Sequence, residues 1–303
     1  MKLTDAARYE ILYDLPKGEF NEREVGAIRT KTIRSGDTLE IEAFPLIRIS
    51  AEAKRERERR KSSQAQQRLN LNNARKRVCR LIETNFGAGD YAVHFTFDYG
   101  AYHAGHENKD EYISRMMKNG MPLTEHEARK EIKNYLRRLK REMARSGTEG
   151  KELKYLYVIE SGKESAPDDP NPTPTKYHVH AVISAPGLSR ETVEGLWQKG
   201  YVNADRLNVC HNGLQALSKY ITKSNKFSRR WAHSRNLKEP TITVSDRKIS
   251  KRRAAAMAMD VMQFGREILE KIYPEYQLQE DAAVRFSDFV PGAYIYARMR
   301  RRR

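Results

Sequence analysis

The hydrophobic positions of this chain alternate with polar ones in several short stretches. Residues 31–44, KTIRSGDTLEIEAF, alternate on both sides of Ser35-Gly36-Asp37, which predicts two strands joined by a tight turn. Aromatic and β-branched residues fill three later stretches, YAVHFTFD after Gly89-Asp90, KYLYVIES at 154–161 and KYHVHAVIS at 176–184. Residues 201–207 complete the set of predicted strands.

Helical spacing appears between these stretches. Residues 124–145 open with Thr124 and Glu127 at capping-box spacing, and Ser189 opens a short helix. Residues 212–223, NGLQALSKYITK, place leucines and an isoleucine on one side, with Tyr220 beside them. A stripe between residues 69 and 82 predicts another helix, and one long helix is predicted over 251–272, followed by a mobile end.

The order of these elements predicts the fold class. From residue 91 onward it is strand, helix, strand, strand, helix, strand, helix, which suits an α+β fold: an antiparallel sheet of about five strands with flanking helices. We divide the chain into an N-terminal hairpin and helical extension at 1–86, a catalytic domain at 87–245 and a basic helical extension at 246–303. Residues 165–175 hold four prolines and are predicted to form a loop.

Charge narrows the classes of partner. The chain of 303 residues has a formal net charge of +17 and a pI near 9.8, which is typical of a nucleic-acid-binding protein. Residues 223–253 hold eleven basic and two acidic residues. A solvated surface is the ordinary alternative for such a run. The predicted DNA contacts within it are Lys226, Arg229, Arg230, Arg235 and Lys238.

The cysteines, the apolar stretches and the glycine motifs of the chain indicate which kinds of site or segment it lacks. The two cysteines have no metal-type spacing, and no stretch has the apolar length of a signal peptide or a membrane helix. The sequence therefore predicts a soluble, cytoplasmic protein without a membrane partner. No phosphate-binding Gly-x-x-x-x-Gly-Lys-Ser/Thr loop occurs, so the sequence predicts no fused P-loop helicase.

His178 and His180 are the candidate metal ligands. Their spacing places both imidazoles on one face of a strand, although a pair of surface histidines has the same pattern. A hairpin joining residues 154–161 to this strand could bring the Glu160 carboxylate beside them. Two nitrogens and one oxygen suit Mn²⁺ and can serve Mg²⁺. We interpret His94, alone on an apolar strand, as a structural histidine.

Tyr220 is the candidate nucleophile, with Lys223 one helical turn away. A tyrosine ordinarily titrates near pH 10, so its attack on a phosphate needs a nearby positive charge, which Lys223 could supply. Read alone, Tyr220 could equally be a half-buried helix tyrosine. Trp197 and Trp231 are possible base-stacking residues, with a core role favoured for Trp197.

Together these motifs resemble the HUH endonucleases. KYHVHAVIS is similar to the His-hydrophobic-His motif, HFTFD to the strand of the first motif, and KYITK to the tyrosine motif. The tyrosine follows the histidine pair, as in replication initiators and unlike relaxases. Further similarity in TIRSGDTLEIEAF, in LNLNNARKRVCRLIETNFGAGDYAVHFTF and in SRNLKEP extends the resemblance over about residues 29–245, to rolling-circle replication proteins of bacterial plasmids, prophages and integrative elements.

The resemblance implies a ferredoxin-like or RRM-like core and assigns roles. His178, His180 and Glu160 would hold Mn²⁺ or Mg²⁺, Tyr220 would attack the DNA and Lys223 would assist. The implied function is nicking and joining of single-stranded DNA at a replication origin, expected to be a stem-loop, with a host helicase and polymerase as partners. Two alternatives stay open: a single-tyrosine transposase, and a non-catalytic nucleic-acid-binding protein.

Overall fold

The computed structural model describes residues 25–47, 63–97, 124–147, 152–161, 177–209, 214, 217, 231–286 and 292–302. Its fold is α+β, as predicted, with antiparallel sheets and flanking helices. The described residues form two five-stranded sheets. The chain divides into two compact units, one of Met1–Asn73 with Glu239–Arg303 and one of Ala74–Lys238. The proposed functional limits at 86/87 and 245/246 stay predictions.

The first unit contains the predicted hairpin. Strands β1 (Val25–Ser35) and β2 (Thr38–Ile47) pair directly through a turn in which Gly36 has a φ of 56°, a conformation that favours glycine. The other strands of this sheet are β8 (Thr241–Ser245), β9 (Tyr276–Phe286) and β10 (Ala293–Arg301), in the order β8-β1-β2-β10-β9.

Two of the described helices lie wholly within the first unit, α4 (Lys251–Met259) and α5 (Gln263–Ile272). Their apolar side chains share one buried cluster with alternate residues of β2 and β10. Members of this cluster are Leu39, Ile41, Ala43, Met257, Leu269, Ile295, Ala297 and Met299. One face of the sheet is thereby covered, as its period-two apolar pattern requires.

Two expectations for the C-terminal part were wrong. The single helix over 251–272 is broken at Asp260, whose carboxylate accepts hydrogen bonds from the N–H groups of Met262 and Gln263 at 2.9 Å. Asp260 thus ends α4 and satisfies donors at the start of α5. The end expected to be mobile forms strand β10, because its apolar residues alternate and fill the sheet core.

The second unit contains the other sheet, with the strand order β6-β3-β5-β4-β7. Its strands are β3 (Tyr91–Thr96), β4 (Lys154–Ser161), β5 (Tyr177–Ser184), β6 (Val202–Arg206) and β7 (Trp231–His233). All neighbouring pairs are antiparallel. The first four were predicted from sequence and are confirmed.

Four helices were also predicted between residues 63 and 223. Helix α1 (Ser63–Asn85) and α2 (Glu125–Arg145) are present, and the capping box of Thr124 with Glu127 forms at the start of α2. Ser189 caps α3 (Arg190–Gly195) as expected. The predicted helix at 212–223 lies outside the described residues apart from Leu214 and Leu217. Among the helices that are described, none is long and apolar enough to cross a membrane.

Helix α2 covers one face of the second sheet. Its buried residues pack with alternate residues of β3, β4 and β5 in a single apolar cluster. This cluster includes Val93, Phe95, Ile132, Tyr135, Leu139, Tyr157, Ile159, Val179 and Ala181. The intervening positions of the same strands, including both histidines of the pair, therefore point to the opposite face.

Candidate metal centre

The histidine pair occupies the centre of the second sheet. Val179 is fully buried in the cluster under α2, so His178 and His180 share the opposite face, which we call the site face. Strand register then decides their neighbours. His178 lies opposite Glu160 of β4, and His180 lies opposite His94 of β3. The antiparallel pairing of β4 with β5 therefore brings Glu160 beside the histidine pair.

Glu160 contacts both imidazoles of the pair. Its Oε2 atom lies 3.0 Å from Nε2 of His178 and 3.6 Å from Nε2 of His180. Glu160 is 7% exposed and His180 is 5% exposed. Burial alone would raise the pKa of the Glu160 carboxyl, but hydrogen bonds and charge from the two histidines outweigh it and hold that pKa well below its usual range.

His94 belongs to the same cluster. Its ring lies parallel to that of His180, with 4.6 Å between ring centroids and 6° between planes, and nearly perpendicular to that of His178 at 5.7 Å. One potential ligand atom from each of the three histidines lies within 4.8 Å of the others. The interpretation of His94 as a structural histidine does not account for this grouping, which depends on the pairing of β3 with β5.

The cluster fits a divalent transition metal. A cation of that type holds nitrogen and oxygen ligands about 2.0–2.2 Å away, so ligand atoms that share it lie up to roughly 4.4 Å apart. The histidine atoms need only small rotations to reach such distances. In addition, the buried Oε1 atom of Glu160 has no hydrogen-bond partner among the described residues. A cation would satisfy this oxygen, which otherwise carries a desolvation cost.

Helix α1 contacts the site face at Trp231. Trp231 of β7 pairs with Val158 and so shares the face of His180, and the Arg77 guanidinium of α1 lies 6.0 Å from the Trp231 ring centroid. Farther along α1, the Glu83 carboxylate accepts a hydrogen bond of 2.9 Å from the N–H of Leu214. The chain six residues before Tyr220 is therefore attached to a helix on this face.

The two tryptophans have different surroundings. Trp197 is 5% exposed in the cluster under α2, where its Nε1–H donates to the carbonyl of Thr96 at 3.1 Å, which confirms the favoured core role. Trp231 is half-buried at the sheet edge and stacks on His233 with ring centroids 5.4 Å apart. Only Trp231 remains a candidate for contact with a nucleic-acid base.

The other predicted site residues divide into two groups. Arg235 and Lys238 are exposed, and the backbone at Lys238 is held by two hydrogen bonds with the Asn85 side chain of α1, at 2.7 and 2.8 Å. Both basic side chains are thus presented to solvent from an anchored segment. The remaining predicted residues lie outside the described part of the chain; they are Tyr220, Lys223, Lys226, Arg229 and Arg230.

One comparison with known proteins found a match to part of this chain. A family model described as replication-associated protein ORF2 matches residues 96–225. The matched segment includes Glu160, His178 and His180, continues through Tyr220 and Lys223, and begins two residues after His94. No curated protein and no solved structure gave a significant match. The similarity is consistent with a replication initiator and indicates a role related to DNA.

Proposed function

We propose that this protein nicks and rejoins single-stranded DNA at a replication origin through a 5′-phosphotyrosine intermediate and thereby initiates rolling-circle replication. The observation that carries this proposal is the contact of one buried carboxylate with two histidines on a sheet face, inside the segment that resembles replication-associated proteins. A non-catalytic binding module has no need for a buried carboxylate–imidazole cluster of this kind.

His178, His180 and Glu160 are the residues that would hold the metal in this proposal. Bound there, Mn²⁺ or Mg²⁺ would polarise the scissile phosphate and offset its developing charge. The protein's own part is to fix the ligands. β4 and β5 hold Glu160 opposite His178 in a regular antiparallel ladder, and Val179 anchors the histidine strand in the core below.

Tyr220 is the proposed nucleophile. Its phenolic oxygen, after losing its proton, attacks the phosphorus, and the bond from phosphorus to the 3′ oxygen breaks. The 5′ side stays on the tyrosine, while the departing 3′ oxygen gains a proton and becomes the hydroxyl that a polymerase extends. Lys223 favours the deprotonated phenol through its positive charge. Leu214, six residues earlier in the chain, donates its N–H to the Glu83 carboxylate of α1.

Single-stranded DNA is the proposed substrate because the second unit combines the cluster with exposed basic residues and a half-buried tryptophan. Arg235 and Lys238 are exposed, and Trp231 lies on the same face as His180. Basic side chains bind the backbone of an unpaired strand, and aromatic rings stack on its bases. Selection of one origin, expected to be a stem-loop, would follow from contacts beyond the catalytic residues.

The decisive experiment uses a 5′-labelled or 3′-labelled origin oligonucleotide with the full chain and Mn²⁺. We expect a covalent adduct that retains the 3′-side DNA fragment, its loss in EDTA, and its loss in Tyr220→Phe. Tyr201→Phe is the matched control, since Tyr201 is 66% exposed in the same unit. No adduct with the unmodified protein, or an undiminished adduct with Tyr220→Phe, would rule out the proposed chemistry.

A further inference from the structure

We propose that His94 is an additional ligand of the metal centre, so that the protein offers three imidazoles and one carboxylate to a single cation. This inference rests on the proposed metal site but concerns a residue outside the segment that resembles replication-associated proteins. It also specifies the class of cation, because a nitrogen-rich set favours Mn²⁺, Co²⁺ or Zn²⁺ over Mg²⁺, which prefers oxygen ligands and water.

The first argument is register. His94 and His180 are direct cross-strand partners on β3 and β5, and Glu160 and His178 are direct partners on β4 and β5. Three adjacent strands therefore contribute to one patch of the site face. Because cross-strand side chains on one face start about 4.5–5.5 Å apart at Cβ, the patch is narrow enough for a single ion.

The second argument is the ring geometry. The rings of His178 and His180 meet nearly at right angles, with their Nε2 atoms 3.0 and 3.6 Å from Glu160 Oε2. His94 instead stacks parallel to His180. Parallel rings aim their lone pairs side by side, so His94 must turn about χ2 to share an ion with His180. That torsion has a broad energy profile in histidine, which makes the rotation inexpensive.

The third argument is charge. A buried carboxylate and three neutral imidazoles carry one negative charge at most. A divalent cation bound among them changes the net charge from −1 to +1, and no side chain needs to become more exposed to water. Neutral imidazole is also the form that binds metals. A third imidazole therefore adds a donor for the cation without adding a charge that must be buried with it.

The test separates coordination from stacking. His94→Phe keeps an aromatic ring against His180 but removes the nitrogen donor. In Mn²⁺ titrations followed by electron paramagnetic resonance, we expect this variant to bind Mn²⁺ at least about 10-fold more weakly. Replacing a residue that only hydrogen-bonds to a metal ligand already lowers metal affinity by about 10-fold or more. His126→Ala, an exposed histidine on α2, is the control and should leave the affinity unchanged.

A second readout counts ligands. Pulsed resonance of bound Mn²⁺ should detect three coordinated nitrogens in the unmodified protein and two in His94→Phe. If circular dichroism shows that His94→Phe is misfolded, His94→Gln serves instead, because glutamine binds Mn²⁺ through oxygen and also lowers the count to two. An unchanged affinity of folded His94→Phe, or an unchanged nitrogen count in either folded variant, would overturn the inference. Adduct formation by Tyr220 in the same variant reports separately on the proposed function.

Discussion

The two sheets of this protein solve the same electrostatic problem in different ways. Each buries a carboxylate directly opposite a basic side chain of the neighbouring strand: Glu42 faces Lys31 in the first sheet, and Glu160 faces His178 in the second. The Lys31 Nζ to Glu42 Oε2 distance is 3.5 Å, and both residues are buried. Lysine brings a fixed charge, whereas an imidazole can give up its proton near neutral pH.

This difference distinguishes a structural ion pair from a site. An ammonium has no lone pair with which to bind a cation, so Lys31 can only neutralise its partner. Imidazoles can exchange a proton for a metal ion. In keeping with this, the one metal-type cluster of three or more ligating side chains in the described residues lies in the second sheet. A buried carboxylate therefore indicates a metal site when its neighbours are imidazoles, and a structural ion pair when its neighbour is a lysine.

The largest loss of cleavage activity is expected from removing the two imidazoles that contact Glu160. His178→Ala combined with His180→Ala should reduce cleavage of the origin oligonucleotide to background, because the cation loses two ligands at once. Binding of single-stranded DNA should persist and should weaken with added salt as in the unmodified protein, since the basic residues remain. Cleavage at the original rate by this double variant would mean that the metal lies elsewhere.

Replacing each buried carboxylate tests the difference between the two sheets through the free energy of unfolding. Glu42→Gln leaves the buried Lys31 charge without its partner, and loss of one member of a buried pair costs about 3–5 kcal/mol. Glu160→Gln leaves only imidazoles, which can stay neutral, so its cost should be much smaller. Denaturant titrations of both variants measure the difference. Equal losses in the free energy of unfolding would contradict the distinction drawn between the two sheets.

The smallest effect concerns the basic surfaces of the two units. If Arg235 and Lys238 each contact one phosphate, Arg235→Ala with Lys238→Ala should lower the salt dependence of single-strand binding by roughly 1.4 in the slope of log K against log salt. Arg252→Ala with Arg253→Ala, on α4 of the first unit, removes the same charge and is the matched control. Equal changes would indicate general attraction by net charge.

Local signals in the sequence predicted much of this structure. The hairpin at Gly36 and the start of α2 at Thr124 depend on residues within a few positions of one another, and both were predicted correctly. The shared face of His178 and His180 likewise follows from period two alone. Glu160 was harder, because its place beside His178 depends on a register across an intervening proline-containing segment.

Long-range pairing accounts for what was missed. His94 reaches the cluster because β3 pairs with β5, although α2 and β4 lie between them in sequence. Strands β9 and β10 are stabilised by β2, which lies far earlier in the chain. Neither partner can be identified from a local pattern, since alternation shows that a strand has a buried face without showing which strand lies beside it.

The strand order of the first sheet also affects biosynthesis. β2 lies between β1 and β10, so an interior position of that sheet is filled by a segment that is synthesised long after β1 and β2. The second sheet needs nothing beyond β7 and can pair its strands earlier, since domains tend to fold as units during translation. Until β10 emerges, the hairpin of β1 and β2 has an open edge, and chaperone protection of that edge would matter most during this interval.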